Sequence, residues 1–229
     1  MSYTGYSPPC DDGLDLVYQD DSILVANKPA GLLSVPGRGA DKSDCMVIRL
    51  QLKFPDALVV HRLDMSTSGL MMFARGVQMQ RHLSQMFRER LVAKRYVAVV
   101  AGNLEPATGE IDLPIAVDWP NRPLRKIDAE TGQPSLTRYR VLQYDDFMRP
   151  SVYQGMRSLD NTRVELEPIT GRTHQLRIHL AAIGHPIIGD ALYGVTDASA
   201  ERLLLHASQM TFVHPISRQL LSCVSTPPF

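Results

Sequence analysis

Apolar positions along the chain fall into short runs with two rhythms. Residues 15–18 and 23–26 read as two strands around the polar Gln19–Ser22 turn. Met46, Val47, Leu50 and Phe54 recur at helical spacing, and Pro55 stops that helix. Leu58-Val59-Val60 is a short apolar strand; Leu70-Met71-Met72-Phe73-Ala74 is another, starting straight after Gly69. Met79, Leu83, Met86 and Phe87 mark a second amphipathic helix, with Arg81, Gln85 and Arg88 on its other face. A strand follows over 97–100. Residues 103–134, rich in proline and turns and holding the only tryptophan, Trp119, read as extended strands and loops. Residues 135–144 are strand-like, 147–162 form an irregular excursion, and 163–169 return as a strand. The run TGRTHQLRIHLAAIGHP then predicts a helix capped by Thr173, with Leu176, Leu180 and Ile183 on one face and Gly184 and Pro186 at its end. Residues 203–205 and 210–213 close the pattern as two strands. Strands thus outnumber helices, which gives a mixed α+β chain.

At 229 residues with 44% apolar and 21% charged residues, the chain suits one large domain or two small lobes sharing a substantial core, and a single α+β domain over 1–229 is expected. No repeat or low-complexity linker demands a domain cut. The acidic N-terminus is expected to be a loosely ordered tail as far as Gly13. No stretch is long and apolar enough for a membrane span, and MSYTGYSPPCDDG has no signal-peptide core. Three scattered cysteines form neither a metal spacing nor a disulfide framework, so a reducing, cytoplasmic setting is expected. The net charge of zero argues at first against a nucleic-acid partner. Its distribution argues the other way. Five Asp and no Lys or Arg lie in residues 1–22, leaving 19 acidic against 24 basic groups in the remainder. Arg81, Arg88, Arg90, Lys94 and Arg95 form one basic run, and Arg122, Arg125 and Lys126 another. A polyanion meets patches, not averages, although a basic run taken alone is more often a solvated helix face.

Candidate chemistry centres on HRLDMSTSGL, residues 61–70. It holds Asp64 between two apolar strands, where a carboxylate on a rigid scaffold can act; the plain alternative is an Asp turn. Upstream, NKPAGLLSVPGRG carries Lys28, which Pro29 forces toward an extended conformation. That could aim its ammonium into a cleft, although most such lysines are surface residues. Tyr96, beside Lys94 and Arg95, could stack on a base or pack in the core. His174 and His179, five apart, do not share a helix face, and no HExxH, cysteine pair or carboxylate cluster supports a metal. No Gly-rich phosphate loop is present, and no G-x-S-x-G elbow presents Ser66 or Ser68 as a hydrolase nucleophile.

Three segments in this order, NKPAGLLSVPG, HRLDMSTSGL and PITGRTHQLRIHL, resemble the motif set of the RluA-type pseudouridine synthases. The likeness runs from about Leu16 to the end, and KRYVAVVAG fits the family's tyrosine motif. DWPNRP, the short N-terminus and the lack of an S4 RNA-binding domain bring it nearest the member for which the family is called. The resemblance implies a pseudouridine-synthase fold, with a largely antiparallel sheet, flanking helices and a central RNA-binding cleft. It implies isomerisation of uridine to pseudouridine in the anticodon stem-loop of tRNA and a 23S rRNA hairpin loop, by a monomer with no cofactor and no metal. Asp64 matches the catalytic aspartate, Arg172 its basic partner, Tyr96 the aromatic that stacks on the target base, and Leu176 the apolar residue that closes the pocket. Arg62 matches the arginine that helps displace the nucleotide. His61, Lys28, Lys94 and Arg95 are expected among the RNA-binding residues, and His179 and His185 as packing or phosphate contacts. The excursion and the last strand depart from the family pattern, which bears on substrate choice and edge packing.

The chemistry explains these residue types. The bond from ribose C1′ to N1 must break, the uracil turn, and C5 join C1′. A shielded carboxylate must stay ionised; burial raises its pKa and a neighbouring guanidinium lowers it, with two hydrogen bonds fixing the geometry. Asp64 either attacks C1′ or takes a proton from C2′, and the sequence does not choose. Tyr96 is the candidate for removing the C5 proton, directly or indirectly. The rival from another class is an RNA-binding module without chemistry.

Overall fold

Strand β4, Ser68–Arg75, is buried at every position from Ser68 to Ala74. A continuous apolar run reads this way when both faces of a strand are covered. The structure is a computed structural model and describes residues 5–142, 161–194 and 200–229. Its strands are β1 (Leu16–Gln19), β2 (Ile23–Lys28), β3 (Ala57–Val59), β4, β5 (Ala93–Ala101), β6 (Thr108–Asp112), β7 (Ile115–Val117), β8 (Arg125–Ile127), β9 (Leu136–Val141), β10 (Asn161–Pro168), β11 (Leu205–Val213) and β12 (Leu220–Val224). The helices are α1 (Met46–Gln51), α2 (Val77–Arg88) and α3 (Gln175–Ala182). Contacts divide the chain into two compact units: Met1–Ala93 with Ala207–Thr226, and Lys94–His206 with Pro227–Phe229. No helix among the described residues is long and apolar enough to cross a membrane.

In the first unit β1 pairs antiparallel with β2, β2 with β4, and β3 with β4; β11 lies beside β4 and pairs with β12. Alternation sends Ile23 and Val25 of β2 and Leu70, Met72 and Ala74 of β4 into one cluster with Leu83 and Met86 of α2. Full burial of each such side chain is worth roughly 1.5–3 kcal/mol. The helix keeps Arg81, Gln85 and Arg88 exposed, as its periodicity predicts.

Three expectations change here. The tail is not loose from residue 5 onward: Tyr6 donates its hydroxyl to Asp44 O at 3.0 Å, and Arg49 donates to Pro9 O at 2.6 Å and Cys10 O at 3.3 Å. Backbone carbonyls that a buried guanidinium can reach are enough to hold an apolar-poor segment. The last turn of β2 runs on through Lys28 rather than entering a loop at Asn27. The two closing strands give way to one β11 that starts only at Leu205, leaving 203–204 outside it, and runs unbroken to Val213 because its polar residues find partners: Ser225 N–H donates to Ser208 O at 2.8 Å, and Gln209 Nε2 to Ser222 Oγ at 3.1 Å.

In the second unit β10 lies antiparallel between β5 and β9, and β9 pairs with β6. Thr162, Val164 and Leu166 of β10 point inward while Arg163, Glu165 and Glu167 alternate outward. Val164 and Leu166 pack with Val97, Val100, Leu176 and Leu180. The outer face is a charge ladder, with Glu165 2.5 Å from Arg95 and 3.5 Å from Arg140 and Glu110 2.7 Å from Arg138. Exposed pairs like these add little stability. A hairpin of β7 and β8 stands apart as its own two-stranded sheet. Thr162, placed in the excursion by the sequence, belongs to β10, where its hydroxyl caps Gly102 O at 2.7 Å; residues 147–160 of that excursion lie outside the described residues.

Candidate active site

The segments NKPAGLLS and HRLDMSTSG have little regular structure of their own, so side chains must hold them. Lys28, opposite Gly69 in the β2–β4 register, is 1% exposed. Its ammonium donates to Pro29 O at 2.8 Å, Leu32 O at 2.7 Å and Met65 O at 3.1 Å. Gly31 N–H donates to the same Met65 O at 2.8 Å. Ser34 Oγ donates to Leu63 O at 2.6 Å and accepts from Leu63 N–H at 3.1 Å. Leu63 and Met65, the two neighbours of Asp64, are therefore clamped from one remote segment. Asp64 stands half-buried between them, its carbonyl accepting from Thr67 N–H at 3.1 Å. Gly69 has φ 109, and a Cβ there would overlap the Ala207 backbone, so the end of this loop depends on glycine.

Two expectations for this loop change. Lys28 offers no surface charge; a buried ammonium satisfied by carbonyls is a clamp. His61 is likewise internal in role: its Nε2 accepts from Met72 N–H at 2.9 Å and its ring stacks on Phe87 at 4.4 Å. Only a lone pair can accept, so the neutral ring carries its proton on Nδ1. Arg62, by contrast, is exposed.

Arg172 sits in the second unit, exposed in the loop before α3. Thr173 does not cap that helix. The N-cap position falls to His174 in the left-handed region, φ 58 and ψ 15, without a side-chain cap. The buried Gln175 takes over the task. Its Oε1 accepts from Arg172 N–H at 3.0 Å and Thr170 Oγ at 2.7 Å, and its Nε2 donates to Leu136 O and Thr137 Oγ, each at 3.0 Å. Thr137 Oγ, accepting there, gives its own proton to Nδ1 of the fully buried His179 at 2.9 Å, and His179 Nε2–H donates to Leu113 O at 2.9 Å. Burial pushes the His179 pKa down, in keeping with a neutral ring. His185 Nδ1 is 2.8 Å from Ala101 O, so both histidines pack.

Tyr96, half-buried on β5 opposite Leu166, packs against the apolar cluster that contains the buried Leu176. The structure thus brings Tyr96 and Leu176 to one cluster. Lys94 is half-buried and burial lowers its pKa; its Nζ comes within 3.9 Å of where a Cβ on Gly171 would stand, next to Arg172. Arg95 is exposed, with Glu165 as its partner.

A family model described as RNA pseudouridylate synthase matches residues 22–182. The chain belongs to the RNA pseudouridylate synthase family. It is 50% identical over 224 residues to the dual-specificity RNA pseudouridine synthase RluA of Vibrio parahaemolyticus, covering 97% of this chain and 86% of the relative. The protein of that description from Escherichia coli K12 is 48% identical, covering 94% of each chain. The Pasteurella multocida protein is 46% identical over the full length of both. Among solved structures, human RNA pseudouridylate synthase domain containing 1 matches with a TM-score of 0.75 and 28% identity, over 97% of this chain and 87% of that one.

As an RNA pseudouridine synthase the chain is an isomerase, and its mixed α/β fold of largely antiparallel strands is the fold of that family. Among the described residues no group of three or more His, Cys, Asp or Glu could hold a metal ion. Sequence reasoning missed Ser34 and Gln175, which hold the Asp64 loop (with Lys28) and the Arg172 loop. Each is one small or uncharged polar residue inside one of the three motifs, and its burial was the signal that only packing reveals.

Proposed function

We propose that this enzyme converts uridine to pseudouridine in two RNAs, the anticodon stem-loop of tRNA and a hairpin loop of 23S rRNA. It acts as a cytoplasmic monomer without cofactor or metal. Asp64 is the catalytic carboxylate, Arg172 its ion-pair partner, Tyr96 the ring that stacks on the target base and Leu176 the apolar wall. Arg62 displaces the nucleotide, while Lys94 and Arg95 contribute positive charge toward RNA phosphates. The relatives described as dual-specificity support two RNA classes. The observation that carries the reading is the clamp around Asp64. Both neighbours are fixed by buried side chains, while the carboxylate itself is left half-buried. A turn serving only to reverse the chain needs no such hold.

Removing the uridine from its stack costs a few kcal/mol, less in a loop than in a duplex, and stacking on Tyr96 returns roughly 1–3 kcal/mol. The exposed Arg62 suits the space the base leaves. The test is tritium release from C5-labelled uridine in both hairpins, wild type beside Asp64→Asn. Release from both by wild type, with Asp64→Asn slower by roughly 10⁴-fold or more, is expected. Equal release by Asp64→Asn would remove the carboxylate from the mechanism, and release from one hairpin would cut the range to one RNA.

A further inference from the structure

The β7–β8 hairpin carries a feature that the catalytic roles leave unused. Trp119 is 66% exposed, and the Arg122 guanidinium lies 3.6 Å from its ring centroid. An indole left in water forgoes the burial that usually places tryptophan inside. Arg122 itself is exposed, and among the described residues no carboxylate pairs with it. Lys126, by comparison, is neutralised by Asp128 at 2.7 Å.

The tip that presents this pair is built rather than loose. Asp118 N–H donates to Leu124 O at 3.2 Å, Asn121 N–H to Asp118 O at 3.2 Å and Leu124 N–H to Asn121 O at 3.0 Å. Asn121 Nδ2 adds a bond to Asp118 Oδ2 at 3.0 Å. The base of the hairpin is tied to the Arg172 loop. Arg125 N–H donates to Tyr193 Oη at 2.8 Å, and the same hydroxyl is hydrogen-bonded to His174 Nδ1, also at 2.8 Å. Tyr193 is held in turn by Asp190, whose Oδ1 accepts from Leu192 N–H at 2.9 Å and Tyr193 N–H at 3.2 Å. Asp190 is locked in a buried ion pair with Arg177 at 2.6 Å. A stack of indole and guanidinium therefore stands on a rigid post two residues from Arg172.

We propose that Trp119 and Arg122 form a second RNA-contact site, distinct from the place of the reacting uridine. It takes an unpaired base on the indole and that nucleotide's phosphate on the guanidinium. The inference rests on the RNA reading above. Its chemistry follows from the pair: every base offers a π-face to an indole, and an unpaired arginine attracts phosphate. A guanidinium stacked on one face of the ring also strengthens the platform electrostatically. The site is sequence-tolerant and adds grip on an unpaired nucleotide other than the one modified.

Because Trp119 is the only tryptophan of the chain, its fluorescence reports this site alone. The experiment titrates wild type with whichever hairpin releases tritium, following tryptophan emission and affinity together. Saturable quenching is expected. Trp119→Ala should weaken binding roughly 5- to 100-fold and Trp119→Phe should restore most of it. Arg122→Gln should flatten the dependence of log affinity on log salt by about 0.7–0.9. Unchanged emission at saturation, with Trp119→Ala binding as wild type, would overturn the site while tritium release leaves the isomerase reading intact. A lower melting temperature in Trp119→Ala at unchanged affinity would make the stack a structural brace and overturn it equally. Release from neither hairpin overturns the function reading instead, which is a separate result.

Discussion

The loops that carry Asp64 and Arg172 are both held by buried side chains, yet by opposite strategies. Asp64 is gripped from a distance: Lys28 and Ser34, 37 and 29 residues away from their partners, hold the carbonyls on either side of it. Arg172 is gripped mainly from next door, by Gln175 three residues on, which in turn leans on Thr137. The first hold uses a charge and a hydroxyl; the second uses one neutral amide that satisfies four groups. A remote grip lasts only as long as two segments stay packed, whereas a local grip survives wherever its own helix does. The difference teaches where each loop is vulnerable.

Lys28→Met should break the comparison most severely. It removes the ammonium from the carbonyls of Pro29, Leu32 and Met65, of which Met65 keeps Gly31 N–H, at roughly 1–3 kcal/mol for each left without partner or water. A loss of about 3 kcal/mol in denaturant unfolding is expected, with activity falling because Met65 is released beside Asp64. Unfolding at the wild-type midpoint would show that the ammonium is not holding the loop. Gln175→Ala should cost less, about 1–2 kcal/mol, since the two buried hydroxyls it leaves keep other partners: Thr170 Oγ accepts from Leu136 N–H at 2.9 Å and Thr137 Oγ donates to His179 Nδ1 at 2.9 Å. It should raise amide hydrogen exchange at Arg172 while leaving Leu63 protected. Equal deprotection of both loops would mean that the two holds are not independent.

Acid should distinguish them more gently. The folded pKa of His179 lies below the ordinary histidine value because of burial. Its contribution is therefore complete above about pH 6.5 and is lost as pH falls through the folded value. Protonation puts a hydrogen on Nδ1, which can then no longer accept from Thr137, the anchor of Gln175. Asp190 acts in the same direction at lower pH. Burial alone would raise its pKa, but the Arg177 guanidinium and two backbone N–H groups hold it below the usual carboxylate range, so its stabilisation is lost as pH falls through that range. Hydrogen exchange from pH 7 downward should show Arg172 loosening before Leu63, and His179→Gln should abolish that order.

Much of this was legible in the chain. The β4 run and the α2 stripe were readable because their burial follows directly from periodicity. The three motifs identified the family because their spacing is specific. Lys28 was not readable as a clamp, since a lysine before proline is usually a surface group and only the packed loop supplies its carbonyls. Thr173 has the composition of a cap, but Gln175 satisfies the turn first, leaving His174 at a positive φ that a sequence rule would not assign. The docking of residues 6–10 was hidden because it rests on backbone carbonyls, which every residue type carries alike.

The way the first unit gathers its strands has a bearing on how the protein is made. β4 is complete at Arg75, but most of its neighbour β11 lies in the 207–226 segment of the same unit. On a ribosome that neighbour emerges about 130 residues later, on the order of ten seconds at roughly 5–20 residues per second. Throughout that interval β3 covers that edge of β4 only at Phe73–Arg75, and the nascent chain presents the rest of it unpaired, the geometry that invites pairing with another chain. The unit that carries Asp64 is thus the first to be synthesised and among the last to be closed.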